Sequence, residues 1–496
     1  MVCTGAVFPF KFMLKKAITR LAKGSMIYGI GGMLQRFVGL LLLPFFTSVL
    51  STEDYGVVAL ISLVSVAMSG LLTLGTSNSL GVLYYREQDH GRRHTIIWTN
   101  TIFMAVNGLM WYCVIYHCAP KLSALMFRTD IYADLIRLSL MGSVFSFFVD
   151  PFLAYLRMEE KAKLHVSITL FCSLMNIGLS IWFVLFQRIG VLGIILAGTI
   201  THGVMIFVNW FVIGRKLRFK VEVSLFSPMV RIGFPSVFGI FAFLIIDYAD
   251  RQMIERMVSL DGLGVYSVGY SFGMVMIVAM SAFATAWSPF FMSYIDNRKE
   301  ARTVFARVLT YYLIGFGALI VLFFFFAKPA VLIMTTSSFH EAFNLVGLVA
   351  ASYMLKGCYL IFLPGVYFAE KLHLQAFVEW VAAITNICLN LWLISSLGIL
   401  GAALATFFSY LILPILAWLV ARPYLDVDYE WKRVFSILVS VLIASILLYW
   451  ISIRIDGDLI LTLGVNSFVL LGFLIVAHQF LLTASERDLL RGLFKP

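Results

Sequence analysis

Apolar residues along this chain run in blocks of about twenty, separated by short polar breaks. A helix crossing a hydrocarbon core of about 30 Å needs roughly 20 apolar residues. On that measure the blocks predict fourteen crossings, at 25–50, 55–80, 95–119, 131–156, 164–187, 190–213, 232–256, 262–294, 304–327, 342–369, 374–396, 399–421, 434–453 and 459–483. No connection is long enough for a separate soluble domain. The expected fold class is all-α, a polytopic membrane protein of about fourteen transmembrane helices.

The first block, SMIYGIGGMLQRFVGLLLLPFFTSVL, carries Arg36 near its middle. Helical spacing puts Ser25, Gly29, Gly32, Arg36 and Gly39 on one face. A charge at that depth costs at least about 2.5–3.5 kcal/mol, so Arg36 must face protein or a wet cavity. It is either an anion site, or a cation paired to a carboxylate where glycines let helices pack closely.

Composition sharpens the class. Of the 496 residues 61% are hydrophobic and only 13% charged, against about 25% charged in soluble chains. The net charge of +11 does not point to nucleic acid, because no soluble module carries a basic cluster with interleaved aromatics. It sits in loops. With the N-terminus, even-numbered loops and C-terminus taken as one side, 27 of the 37 Lys and Arg fall there. Seven fall on the other side: Lys121, Arg128, Arg137, Arg188, Arg256, Lys328 and Arg454. Arg36, Arg251 and Lys356 lie in spans. The positive-inside rule then makes both termini cytoplasmic. Five of the six cysteines lie in predicted spans and none form C-x-x-C, so neither a disulfide framework nor a metal site is expected. The N-terminal order of apolar run before lysines is wrong for a signal peptide.

The chain repeats itself. Asn176–Ile200 matches Asn386–Phe408, pairing Asn176 with Asn386, Trp182 with Trp392, Gly190 with Gly398, Gly193 with Gly401 and Ala197 with Ala405. Val49–Leu60 pairs with Met257–Val268 at a similar offset of 208. Six spans separate the copies, so the halves enter from one side and are parallel repeats. Transporters of that design hold substrate at the repeat interface and alternate by rocking. The domains expected are an N-lobe over 1–220, a C-lobe over 221–421 and an appended pair of spans over 422–496.

Three motifs make the pattern specific. They are LSTEDYG after the glycine-rich first span, YLRMEEKAK after the fourth, and DYADRQMIERMVSLDGLGVYSVGY across the seventh and eighth. With them the chain resembles the polysaccharide-transport branch of the exporter superfamily that also contains multidrug extruders and lipid-linked peptidoglycan precursor flippases. The resemblance implies a bacterial inner-membrane flippase for undecaprenyl-diphosphate-linked oligosaccharide, such as an O-antigen, capsule or exopolysaccharide repeat unit. It also implies a V-shaped cationic cavity between two lobes. Its partners would be that lipid-linked glycan, the bilayer and the polymerase and chain-length machinery.

No reaction needs catalysing, so the chain is not expected to be an enzyme. The physical task is to carry a diphosphate and sugars past hydrocarbon, where unpaired phosphate is prohibitive. Arg36, Lys356 and Arg251 are the candidate substrate-binding cations: Arg binds phosphate oxygens bidentately, and Lys356 suits an anionic sugar. Tyr353 and Tyr359 flank Lys356 at helical spacing and suit a sugar; otherwise Lys356 snorkels or pairs with Glu379. Asp247, Asp250 and Arg251 share a face, with Asp247 and Arg251 in the favourable i,i+4 order. That trio is either a structural ion pair or a coupling device, with H+ or Na+ releasing the diphosphate from Arg251. Glu379 is a further coupling or ion-pair residue. Asn386 and Asn390 line one face of the eleventh span, and Asn176 holds the position equivalent to Asn386 in the fifth; these amides are interhelical glue or sugar contacts. His165 and His202 read as structural, the basic loop Arg157–Lys163 as a headgroup-facing collar, and Pro44, Pro151, Pro235, Pro289, Pro364 and Pro414 as kinks or hinges. Two rivals stand beside the flippase. A multidrug or small-cation antiporter of the same superfamily would concentrate acids at mid-depth. A membrane glycan polymerase or ligase would need a long exoplasmic catalytic loop.

Overall fold

The computed structural model describes residues 39–455, 459–477 and 479. Among them every regular element is helical. Following the chain, those longer than ten residues are α1 (Thr52–Thr73), α2 (Thr76–Arg86), α3 (His90–Phe127), α4 (Ala133–Met158), α5 (Ala162–Ile181), α6 (Gly190–Val212) and α7 (Phe226–Met257). Then come α8 (Leu260–Gly273), α9 (Met276–Met292), α10 (Arg298–Met334), α11 (Phe343–Phe362), α12 (Leu372–Ala421), α13 (Trp431–Arg454) and α14 (Leu459–Val476). Helix is forced here, because a span in hydrocarbon must satisfy its own backbone.

Ten described helices are long and apolar enough to cross a membrane, or eleven if α8 and α9, bent by 45°, make one span. The chain is thus an all-α, multi-pass membrane protein. The described helices do not reach the fourteen predicted spans. The 50-residue α12 holds two predicted spans that meet at Gly398, whose φ of 58° and ψ of −137° leave helical geometry. The apolar α14 is shorter than the ten helices long enough to cross. Most of the first predicted span, with Arg36, lies outside the described residues.

The chain divides into two compact units. One holds Leu60–Phe241, the other Leu40–Ala59 with Ala242 onward. The core of the first is built by Leu80 and Tyr84 of α2, Ile97 and Trp98 of α3, Phe152 of α4, Ile168 of α5 and Met205 of α6. A core of the second gathers Val265, Val268 and Phe272 of α8, Val331 of α10 and Val346 of α11.

The repeat reappears as backbone geometry in each unit. Gly190 and Gly398, paired by sequence, hold φ of 59° and 58°, a region that only glycine enters freely. A second pair emerges that sequence matching missed. Glu160 and Glu370 have φ of 55° and 56°. Each is followed by a lysine amide that donates five residues back, Lys161 to Leu156 at 2.8 Å and Lys371 to Val366 at 3.0 Å. Within the second unit the starts of α1 and α8 meet reciprocally. A methyl on Gly56 would collide with the Leu260 carbonyl, and one on Gly264 with the Thr52 carbonyl. Both pairs are related by the offset of 208, and Thr52 Oγ1 donates to Asp261 Oδ1 at 2.5 Å beside them.

Lys328 departs from its expected place in a loop. Helix α10 runs past it to Met334, and its side chain is buried. Its ammonium donates to the carbonyls of Ser452 at 2.7 Å and Ile455 at 2.6 Å. These are end carbonyls of α13, which have no partner in their own helix, and a cation there also suits the helix dipole. At the other end of α13, Thr310 Oγ1 donates to Glu430 at 2.7 Å. So α13 is fastened to α10 at both ends. Losing charge-assisted bonds to buried groups costs about 1.5–3 kcal/mol. Lys328→Met should therefore lower the melting temperature of the purified protein by several degrees in scanning fluorimetry, and an unchanged value would refute the fastening.

Candidate functional site

Four helices of the second unit each contribute polar residues spaced three or four apart, a spacing that puts them on one helix face. Asp247, Asp250 and Arg251 come from α7, Tyr266 and Tyr270 from α8, Tyr353 and Lys356 from α11, and Thr406 and Tyr410 from α12. All lie within otherwise apolar helices, so each polar group must find its partner in protein.

The partners fall into a sealed half and an accessible half. In the sealed half, Asp250 is wholly buried and Arg251 is 8% exposed. Tyr266 Oη donates a short hydrogen bond to Asp250 Oδ2, and Thr406 Oγ1 reaches the same oxygen at 3.5 Å. Among the described residues Asp250 Oδ1 has no hydrogen-bond partner. Arg251 donates to the backbone carbonyl of Asp247 at 2.7 Å, and its guanidinium lies 4.2 Å from the Tyr248 ring centre and 5.2 Å from that of Tyr270. In the accessible half, Asp247 Oδ2 stands 3.8 Å from Lys356 Nζ, with the side chains 17% and 19% exposed. Asp247 Oδ1 accepts from Tyr410 Oη at 2.6 Å and Tyr270 Oη at 3.3 Å. Lys356 donates to Tyr410 Oη at 3.4 Å and lies 4.2 Å from the Phe243 ring centre. Tyr270 and Tyr353 share a hydrogen bond of 3.1 Å.

Asp247 and Asp250 face Lys356 and Arg251, and Glu379 also lies within reach of the Lys356 charge. A buried ion pair of this kind gains little stability for its desolvation cost, while loss of one member is expensive. At 3.8 Å the Lys356–Asp247 pair is too long for a hydrogen bond. Lys356 is therefore held by charge, by ring contacts and by its hydrogen bond to Tyr410.

The sequence reading set Asp247 beside Arg251 and offered Glu379 as the mate of Lys356. The structure gives the Asp247 carboxylate to Lys356 and two tyrosines, and Arg251 takes only the Asp247 backbone. Glu379 accepts instead from Tyr359 at 2.8 Å and Gln375 at 2.9 Å. Tyr353 and Tyr359 are each 1% exposed. Asn390 donates to Asn386 at 2.9 Å, while Asn386 Nδ2 and Asn390 Oδ1 are buried without a hydrogen-bond partner among the described residues. Asn176 lies in the other unit, half-buried on α5, and is not part of this cluster. Arg36 lies outside the described residues. Tyr266, Tyr270, Thr406 and Tyr410 went unassigned in the sequence, although hydroxyls spaced i,i+4 inside apolar spans are a legible signal. Among the described residues no group of three or more His, Cys, Asp or Glu could hold a metal ion.

Comparison with known proteins fits this architecture. The fold is similar to that of the lipid II flippase MurJ in an inward closed conformation, with a TM-score of 0.69 and 15% identity over 95% of this chain and 99% of that one. It is similar also to a multidrug resistance MATE family transporter of the MOP superfamily in an inward-facing conformation. There the TM-score is 0.67 and the identity 15%, over 82% of this chain and 95% of that one. In sequence the chain is 24% identical over 286 residues to protein 1 of the Lsg locus of Haemophilus influenzae, covering 56% of this chain and 67% of the relative. The sequence profile described as polysaccharide biosynthesis protein matches residues 46–344. That match spans more than half of the chain, which belongs to the polysaccharide biosynthesis protein family.

Proposed function

We propose that the protein is a flippase that moves an undecaprenyl-diphosphate-linked oligosaccharide from the cytoplasmic to the periplasmic leaflet of a bacterial inner membrane. The observation that carries this reading is the partly exposed Lys356–Asp247 pair, set among tyrosines inside apolar helices of a polysaccharide biosynthesis protein. In its finer form the chain has fourteen spans, cytoplasmic termini and alternating access expected from the parallel repeat, with Arg36 a second cation in the path.

The geometry suggests how cargo and ion are linked. An ammonium among apolar and aromatic groups cannot be left without a counter-ion. A phosphate oxygen that takes Lys356 must therefore displace Asp247. Asp247 would then be an unpaired carboxylate at membrane depth unless it binds a proton or Na+. Substrate and cation thus enter the cluster together, and Tyr410, which bonds both partners, holds them in register. The cation-extruder reading needs uncompensated carboxylates, and here Lys356 and Arg251 stand opposite Asp247 and Asp250.

The test is a deletion strain together with purified protein in vesicles. The strain should accumulate undecaprenyl-linked glycan on the cytoplasmic side. The vesicles should flip that lipid, at a rate that responds to a pH or sodium gradient. Normal glycan distribution in the strain would exclude the flippase, and flipping indifferent to both gradients would exclude the coupling.

A further inference from the structure

The first unit carries a second loose cation–carboxylate pair, far in sequence from the cluster above. Asp150 and Arg157 lie seven residues apart on α4, two turns or about 10 Å along the axis. The Arg157 side chain reaches back toward the helix N-terminus, as helical side chains do. Its Nη2 stops 3.7 Å from Asp150 Oδ1, with Arg157 48% and Asp150 30% exposed. Asp150 Oδ2 is already satisfied by Ser77 Oγ of α2 at 3.0 Å. The one hydrogen bond of Arg157 joins Nη1 to Nε2 of His165 on α5, at 3.3 Å. Most of a five-donor fork is thus left for another acceptor. Of the two acids next along the chain, Glu159 is taken by Tyr84 Oη at 2.6 Å and by Lys161 at 3.7 Å, and Glu160 is engaged elsewhere.

We propose that Arg157 and Asp150 form a second phosphate-binding site, in which a phosphate group displaces Asp150 as the counter-ion of Arg157. This revises the sequence reading of Arg157–Lys163 as a collar alone. It rests on the flippase reading for the identity of the cargo, but its chemistry is its own. A planar guanidinium on a partly exposed helix face binds phosphate through paired N–H bonds, and a carboxylate at 3.7 Å acts as a built-in competitor. The phosphate belongs either to a prenyl diphosphate or to the headgroup of an anionic phospholipid.

The experiment measures binding of farnesyl diphosphate to the full-length protein in phosphatidylcholine nanodiscs, by calorimetry, in the native protein and in a Lys356→Gln background. Arg157→Ala should weaken binding about tenfold. Arg157→Lys, which keeps the charge and loses the fork, should fall between. Asp150→Asn removes the competitor and should tighten binding several-fold, an outcome that a merely structural pair does not give. If phosphatidylglycerol in the disc competes with the probe through Arg157, the site takes phospholipid headgroups too. If it does not compete, the site selects prenyl diphosphate; either result upholds it. The proposal is overturned if Asp150→Asn weakens binding as Arg157→Ala does, or if neither change alters it. Should Arg157→Ala fail to fold, Arg157→Lys and Asp150→Asn decide. Because export is not the readout, this site can fail while the flippase stands.

Discussion

Replacing Lys356 with glutamine is expected to abolish glycan export, reading out as intracellular undecaprenyl-linked glycan equal to that of the deletion strain. The cation is the one described group of the accessible half able to take a phosphate. Its removal has a second effect that must be separated from the first. It leaves Asp247 without a cation, and breaking a buried ion pair from one side costs about 3–5 kcal/mol. Protein level alone could then fall. The double variant Lys356→Gln with Asp247→Asn restores neutrality and should restore the amount of folded protein in the membrane. It should not restore export, because neither amide binds phosphate as an ammonium does. If the neutral double variant exports glycan at the native rate, Lys356 does not contact cargo.

The largest structural effect is expected at Gly264. Glycine to alanine in a helix ordinarily stabilises by about 0.8–1 kcal/mol. At Gly264 the added methyl meets the Thr52 carbonyl, a backbone atom that cannot rotate away. The starts of α1 and α8 must then separate, which also strains the Thr52–Asp261 bond. Gly264→Ala should reduce folded protein severely, with a loss of about 3 kcal/mol or more, as overpacking against backbone gives. Gly315 is the control, on α10 with no described residue within 4 Å of an added methyl. Gly315→Ala should be neutral or slightly stabilising in the same thermal-unfolding measurement. Equal behaviour of the two variants would contradict the close approach.

Much of this was legible in the sequence, and what was not has physical causes. The all-α, multi-pass membrane class follows from block length, because hydrocarbon thickness fixes it. The pairing of Gly190 with Gly398 was legible since a left-handed angle demands glycine in both copies. Glu160 and Glu370 hide their equivalence, because the same turn accepts a non-glycine residue at modest cost. Spacing along α7 named Asp247, Asp250 and Arg251. It could not show that Lys356, more than a hundred residues on, outbids Arg251 for the Asp247 carboxylate. Helical periodicity reports neighbours on one helix, whereas that choice is made between helices. Lys328 was misplaced for a related reason: hydropathy ends a span at a charge, and the carbonyls that accept this charge lie 124 residues downstream.

That distance has a meaning for biosynthesis. At about 5–20 residues per second, roughly 6–25 seconds pass between translation of Lys328 and of Ser452. Through that interval the ammonium has no α13 to cap and must stay at the aqueous surface, holding the end of α10 out of the bilayer. The final depth of α10 is therefore set only after α13 has inserted, and a nascent chain truncated before Trp431 should leave Lys328 open to water-borne amine reagents.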